Sequence, residues 1–126
     1  MNKNLVEFLI KLKNASQLKK ETVYTQYNIF QIEVLKKLYE EGIIQSFFLK
    51  DSSSVLVVNL RFFLNKPTIG GIKLLSTPSL KNTLSFIDIS KINSVKYTII
   101  LTTNLGIKTL NECKMARVGG QMLFLC

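Results

Sequence analysis

The fold of the C-terminal half can be predicted from residues 95–126, VKYTIILTTNLGIKTLNECKMARVGGQMLFLC. VKYTIIL is rich in β-branched residues and predicts a strand, and the apolar run QMLFLC predicts a final strand. Between them, Thr109 followed three residues later by Glu112 is a capping box, which predicts a short helix through Met115. Gly119 and Gly120 are expected to turn the chain from that helix into the last strand.

The segment TTNLGIKT, residues 102–109, follows the predicted strand and carries more polar groups than a plain turn needs. The short side chains of Thr102, Thr103 and Asn104 can contact bases, sugars and phosphates without bulk, and Gly106 lets backbone N–H groups approach an anion closely. A helix that begins at Thr109 points the positive end of its dipole into the same region. The segment is therefore a candidate docking surface for RNA.

Three cations lie close to this segment in the sequence, namely Lys108, Lys114 and Arg117. They supply the positive charge that a phosphate backbone attracts. A purely structural turn remains the alternative interpretation of the whole cluster.

The first half of the chain predicts the order α-β-α-β-β. Asn4 with Glu7 forms a capping pattern that opens a helix to about Ala15, and ETVYTQY predicts a short strand. Asn28 caps a second helix, which Gly42 ends in the left-handed conformation. The runs IIQSFFL and SVLVVNLRFF then predict two strands.

One stretch, NKPTIGG at residues 65–71, has the composition of a boundary between lobes. Beyond it, IKLLS and TLSFIDI predict strands that precede VKYTIIL. The predicted fold class is therefore α/β (α+β) with two small lobes. Residues 1–64 form the N-terminal lobe, and residues 65–126 form a C-terminal lobe that is mostly β with one short helix.

The net charge of +9, from 17 basic and 8 acidic residues, points to a polyanionic partner, either nucleic acid or an anionic membrane surface. Both ends of the chain are positive, since residues 1–20 hold five lysines and one glutamate and residues 81–126 hold six basic and two acidic groups. On the first predicted helix, Lys11, Lys13 and Asn14 are candidate RNA contacts, although taken by themselves they favour a solvated helix face.

Composition also excludes several kinds of chemistry. The chain has no His, and Cys113 and Cys126 lack the spacing of a zinc site, so we expect two buried thiols and no metal ion. No base, nucleophile or cofactor motif is present, which predicts a protein that is not an enzyme and has no cofactor or small-molecule substrate. No apolar run reaches the ~20 residues of a membrane span, and the N-terminal pattern is expected to be a helix and not a targeting peptide.

The segment TTNLGIKT resembles the S-T-S-x-G loop of the eighth small-subunit ribosomal protein of bacteria and organelles, with Asn104 at a Ser position. Val118, Gly119 and Gly120 are similar to the V/L-G-G of that family. The stretches LIKLKNA at 9–15, LYEEGII at 38–44 and KPTIGGIKLLSTPSLK at 66–81 resemble further family segments in the same order. Lys81 and Lys114 stand where arginines are usual, and lysine lacks the planar fork that binds phosphate bidentately.

The resemblance implies a two-lobed structural protein of the small ribosomal subunit, with lobes that meet near residues 64–67. It implies that the C-terminal lobe binds a stem in the central domain of small-subunit ribosomal RNA through the loop at residues 102–106, with Lys81 among the contacts. The N-terminal lobe would touch neighbouring RNA and ribosomal proteins. The family supports subunit assembly and translation, and repression of a messenger RNA off the ribosome is the alternative function.

The basic residues comprise only two arginines, Arg61 and Arg117, and fifteen lysines, and Asn, Ile and Phe are abundant. AT-rich coding favours these residues, which predicts an organelle-encoded protein of the mitochondrial matrix, in the small mitochondrial ribosomal subunit. A plastid or a bacterial cytoplasm is the alternative location.

Overall fold

The computed structural model of the protein describes residues 3–50, 54–69, 72–76, 82–92 and 97–126. The chain divides into two compact units. The N-terminal unit is Glu7–Ile72, and the C-terminal unit is Met1–Val6 with Lys73–Cys126. Helices and antiparallel sheets together confirm the α+β class, whereas the predicted lobe boundary between residues 64 and 65 stays a prediction.

The first seven elements confirm the predicted order α-β-α-β-β and add a small hairpin. Their bounds are α1 Lys3–Gln17, β1 Thr22–Gln26, α2 Ile29–Glu40, β2 Ile44–Leu49, β3 Val55–Leu60, β4 Phe62–Phe63 and β5 Lys66–Pro67. The antiparallel order β1-β3-β2 places β3 at the centre of a three-stranded sheet, and β4 pairs with β5. Apolar side chains of α1, α2 and β3 are fully buried in this unit, among them Leu9, Leu35 and Val58.

The helix ends of this unit confirm one predicted cap and correct another. The Asn28 side chain accepts a hydrogen bond from the Phe30 N–H at 2.9 Å, as an N-cap should, and Gly42 ends α2 at φ +73°. The predicted cap at Asn4 is wrong, because α1 begins at Lys3 and contains Asn4.

The remaining elements are β6 Lys73–Leu74, β7 Thr83–Leu84, α3 Phe86–Ser90, β8 Ile99–Thr103, β9 Gly106–Thr109, α4 Leu110–Ala116 and β10 Gly120–Leu125. The strands form one antiparallel sheet of order β6-β10-β8-β9, in which β7 also pairs with β10. A buried core of Ile89, Leu101, Leu110 and Cys113 joins α3 and α4 to this sheet. None of the helices within the described residues is long and apolar enough to cross a membrane.

The predicted strand TLSFIDI is wrong, and the described part of the C-terminal lobe therefore has two helices where one was predicted. Only Thr83–Leu84 pair as a strand, and a helix follows from Phe86. Ser85 caps this helix, because its hydroxyl accepts from the Asp88 N–H while the Asp88 carboxylate accepts from the Ser85 N–H. This capping box outweighs the strand propensity of the apolar residues between its two members.

The loop after β6 is anchored to β10 by Ser76, which is 1% exposed. Its hydroxyl donates to the Met122 carbonyl and accepts a hydrogen bond of 3.0 Å from the Asn82 N–H. Met122 belongs to β10 and Asn82 directly precedes β7. Ser76 therefore links the end of β6 to β10 and to the start of β7.

Gly119 and Gly120 do not act as a turn, contrary to the sequence-based expectation. The turn after α4 is made by Arg117, which has a left-handed backbone at φ +57°. The two glycines are needed for close approach instead. A Cβ on Gly119 would lie 2.5 Å from the Leu84 carbonyl oxygen, and one on Gly120 would lie 2.5 Å from that of Thr102.

We expect Gly120→Ala to lower the free energy of unfolding by about 1–3 kcal/mol, because the added methyl overpacks the backbone of β8. Urea unfolding of the full chain measures this change. Met115→Ala is the control, since Met115 is 85% exposed on α4 and its loss should change stability by less than about 0.5 kcal/mol. Equal stability of Gly120→Ala and the parent would show that β10 does not approach β8 this closely.

Candidate nucleic-acid interface

The predicted polar loop at residues 102–109 is a β-hairpin. Strand β9 pairs with β8 from Gly106 opposite Thr103 to Thr109 opposite Ile100, so Asn104 and Leu105 form the connection. Strand β9 was not predicted from the sequence, although the β-branched residues Ile107 and Thr109 on either side of Lys108 are typical of a strand. Gly106 has φ +109°, a conformation that other residues rarely adopt, and it allows the chain to re-enter the sheet.

The hydroxyl of Thr103 organises the tip of this hairpin. It accepts a hydrogen bond from the Leu105 N–H at 3.1 Å and donates one to the Gly106 carbonyl at 2.9 Å. These bonds leave Asn104 exposed and hold Leu105 outward with 60% of its surface exposed. The tip therefore presents an amide and an aliphatic side chain in one fixed arrangement.

Thr102 lies half-buried on β8, opposite Ile107 on one side and Gln121 of β10 on the other. Gln121 is a polar neighbour that the sequence reading missed. Its Nε2 is buried and has no hydrogen-bond partner among the described residues. The signal was available, because Gln121 opens an otherwise apolar strand.

The base of the hairpin is fixed by Thr109, which is buried and caps α4. Its hydroxyl accepts from the Glu112 N–H at 3.3 Å, and the Glu112 carboxylate accepts from the Thr109 N–H at 3.1 Å. This confirms the predicted capping box. The Glu112 carboxylate also lies at the positive end of the helix and offsets its charge, so α4 adds less attraction for an anion than the sequence suggested.

The three cations near the hairpin differ in their exposure and in their contacts within the protein. Lys108 is half-buried on β9, opposite Leu101, and Arg117 is exposed at the C-terminal cap of α4. The ammonium of Lys114 donates a hydrogen bond to the Ile92 carbonyl, which ties α4 to the end of α3. Lys114 therefore has a structural contact that the sequence did not indicate.

The other predicted contact residues lie elsewhere. Lys11, Lys13 and Asn14 are exposed on α1 in the N-terminal unit. Lys81 lies outside the described residues. The structure thus brings together the residues of the β8–β9 hairpin and its flanking cations within the C-terminal unit, and places the α1 residues in the other unit.

The two cysteines are kept neutral by their surroundings. Burial raises the pKa of Cys113. The negative charge of Glu112 raises this pKa further, and the positive charge of Lys108 lowers it. Burial raises the pKa of Cys126 to about 12. Thiols of this kind are poor nucleophiles, and the described residues contain no group of three or more side chains suited to hold a metal ion.

Comparison with known proteins gives a consistent result along the chain. The family model described as Ribosomal protein S8 matches residues 3–126. The chain is 32% identical over 124 residues to the small ribosomal subunit protein uS8 of Phytoplasma mali, covering 98% of this chain and 95% of that protein. It is 30% identical over 131 residues to protein uS8c of the alga Tetradesmus obliquus, covering 98% and 96%. Identity to uS8 of Blochmanniella pennsylvanica is 30%, covering 98% and 95%.

The raised pKa values predict a loss of stability in alkali. Below the ordinary thiol pKa of 9.0 both folded and unfolded chains keep these protons, so the stability is fully present. As the pH rises from about 9 towards 12, the unfolded chain releases the Cys126 proton first, and the free energy of unfolding falls by up to about 1.4 kcal/mol per pH unit. Urea unfolding between pH 8 and pH 10 should show a steeper fall for the parent than for Cys126→Ala. Parallel pH profiles would refute the burial of this thiol.

Proposed function

The chain belongs to the ribosomal protein S8 family and is a structural constituent of the small ribosomal subunit, and we propose that its β8–β9 hairpin docks on a stem in the central domain of small-subunit ribosomal RNA. Its partners are ribosomal RNA and ribosomal proteins, and its role is structural, not enzymatic. The observation that carries the proposal is the Thr103-organised tip, which holds Asn104 outward in a chain with a net charge of +9.

Docking proceeds in two stages. Lysines and arginines attract the phosphate backbone and set a salt-dependent affinity. The hairpin then fits the shallow minor groove of the RNA helix, where short polar groups reach 2′-hydroxyls and base edges. The proposed RNA contacts are Thr102, Thr103, Asn104, Gly106, Lys108, Thr109, Lys114, Arg117 and Lys81, with Lys11, Lys13 and Asn14 touching neighbouring RNA.

Within this set, the internal contacts assign different tasks. Thr109 and Lys114 act by positioning, because the hydroxyl of Thr109 caps α4 and the ammonium of Lys114 holds the Ile92 carbonyl. Asn104, Lys108 and Arg117 act by direct contact and charge. Thr103 does both, since one lone pair of its hydroxyl remains after it accepts from Leu105 and donates to Gly106.

The protein supports assembly of the subunit by holding this stem, and it supports translation as part of the assembled particle. We place the protein in a mitochondrial ribosome and its gene in the organelle genome, because its composition is rich in lysine, with two arginines among 17 basic residues. Fractionation of source cells, with an antibody against the protein and sequencing of purified organelle DNA, tests this placement. Detection with plastids or in a bacterial cytoplasm would refute it.

Thr103→Ala is expected to weaken binding to the ribosomal RNA stem by about 5- to 150-fold, which corresponds to about 1–3 kcal/mol. The reason is that the Leu105 N–H and the Gly106 carbonyl lose their common partner and the tip loses its fixed shape. Titration of the labelled stem with the full chain at several salt concentrations measures the effect.

Thr103→Ser is the matched control, because it keeps the hydroxyl and should keep most of the affinity. A scrambled stem tests specificity, and it should bind weakly and with a steep salt dependence. Equal affinity of Thr103→Ala and the parent for the stem would exclude the hairpin as the docking element.

A further inference from the structure

A groove of about 310 Å³ lies in the N-terminal unit between α1 and β1. Its helix side is formed by Lys11 and Asn14 of α1 and by Leu18, which follows the last residue of α1. These residues recur at i, i+3 and i+7 and so lie on one side of the helix. Leu18 leaves 69% of its surface exposed at the end of this face. The helix side thus contributes a cation, an amide and an aliphatic side chain to one depression.

The strand side is formed by Thr22, Val23 and Tyr24. Because strand side chains alternate, Thr22 and Tyr24 point to one face of β1 and the buried Val23 points to the other. Tyr24 is 59% exposed in the middle of the edge strand β1, so its ring is open to solvent. The Thr22 hydroxyl donates to Asn59 Oδ1 at 3.2 Å, so its oxygen is left as an acceptor. An open aromatic ring therefore stands beside a hydrogen-bonding group.

Lys20 completes the lining, and the backbone fixes its place. The Lys20 N–H donates to the Ala15 carbonyl at 2.9 Å and the Lys19 N–H donates to the Ser16 carbonyl at 3.2 Å. Together with φ +57° at Lys19, these bonds form a Schellman motif with lysine where glycine is usual. The motif carries Lys20 into the groove while Lys19 stays outside the lining.

The charge of the groove is of one sign. Among the residues that the structure describes, Lys11 and Lys20 line it and no carboxylate does. Glu7 lies one turn before Lys11 on α1 and Glu21 follows Lys20, but both are exposed outside the lining. A ligand that suits this groove has an anionic group and a flat ring that can stack on a tyrosine, and a nucleotide has both.

We propose that this groove binds an unpaired nucleotide of RNA, with the base stacked on Tyr24 and the phosphate between Lys11 and Lys20. Asn14 offers donors and an acceptor to the edge of the base. An acidic protein segment would use the lysines but would leave the ring of Tyr24 without a planar partner. The inference rests on the proposed function only in taking RNA as the partner, and it adds a second, single-stranded contact to the docked stem.

The test uses the full chain and two probes of equal phosphate charge, a short single-stranded oligoadenylate and an abasic strand of the same length. The chain has no tryptophan, so Tyr24→Trp introduces a single tryptophan at the proposed stacking position, and its emission can be excited separately from that of the remaining tyrosines. Oligoadenylate should quench its emission and the abasic strand should not. Quenching by both strands alike would overturn base stacking and leave charge as the whole attraction.

Affinities of matched variants test each part of the site. Tyr24→Ala should bind oligoadenylate about 5- to 150-fold more weakly, the effect of losing one stacked base, and Tyr24→Phe should bind as the parent does. Tyr27→Ala is the control, because Tyr27 is also exposed but does not line the groove. Lys20→Gln should weaken binding more than Lys19→Gln, although each removes one charge. The proposal is overturned if Tyr24→Ala and Tyr27→Ala weaken binding of oligoadenylate equally, or if Lys20→Gln and Lys19→Gln do.

Binding to the ribosomal RNA stem separates this inference from the proposed function. If the groove is a separate contact, Tyr24→Ala should bind the isolated stem normally, and Thr103→Ala should bind oligoadenylate normally. If the groove variants bind oligoadenylate as the parent does, the proposal of stem docking still stands. If Thr103→Ala binds the stem as the parent does, the proposal for the groove still stands. Competition by polyglutamate as strong as that by oligoadenylate would assign the groove to an acidic protein segment and overturn the inference.

Discussion

The C-terminal unit depends on the close approach of β10 to the strands beside it. Without side chains at Gly119 and Gly120, the backbone of β10 lies directly against the carbonyls of Leu84 and Thr102. Pairing of β10 with β8 then fixes β8, and pairing of β8 with β9 fixes the hairpin that carries the candidate interface. A steric constraint beside Thr102 and Thr103 therefore decides where the tip is presented.

In the candidate interface, some polar groups form hydrogen bonds within the protein and others are exposed to solvent. Thr109 and Glu112 satisfy one another at the start of α4, and the ammonium of Lys114 satisfies a carbonyl at the end of α3. These bonds tie α4 to the base of the hairpin and to the segment that follows α3. The side chains of Asn104 and Arg117 are exposed, which is why we propose them as direct RNA contacts.

The family assignment explains why so basic a chain has no catalytic group and two neutral thiols. A ribosomal protein is selected for shape and charge, so its chemistry lies in hydrogen bonds and phosphate attraction. The groove that we propose as a nucleotide site lies in the other unit. There a left-handed lysine takes the place of a glycine and holds a second lysine beside an open tyrosine ring.

The amino-acid sequence was enough to predict the α+β class, the order of the first five elements, the caps at Asn28 and Thr109 and the family, because these depend on local spacing and on motifs in order. It did not reveal α3, β9, the role of Gly119 and Gly120, or the tie between Lys114 and Ile92. Those features depend on atoms far apart in the chain, such as the Thr102 carbonyl that excludes a Cβ at residue 120. The folded chain was needed to find them, since the approach of two strands is set by packing and not by the propensity of either.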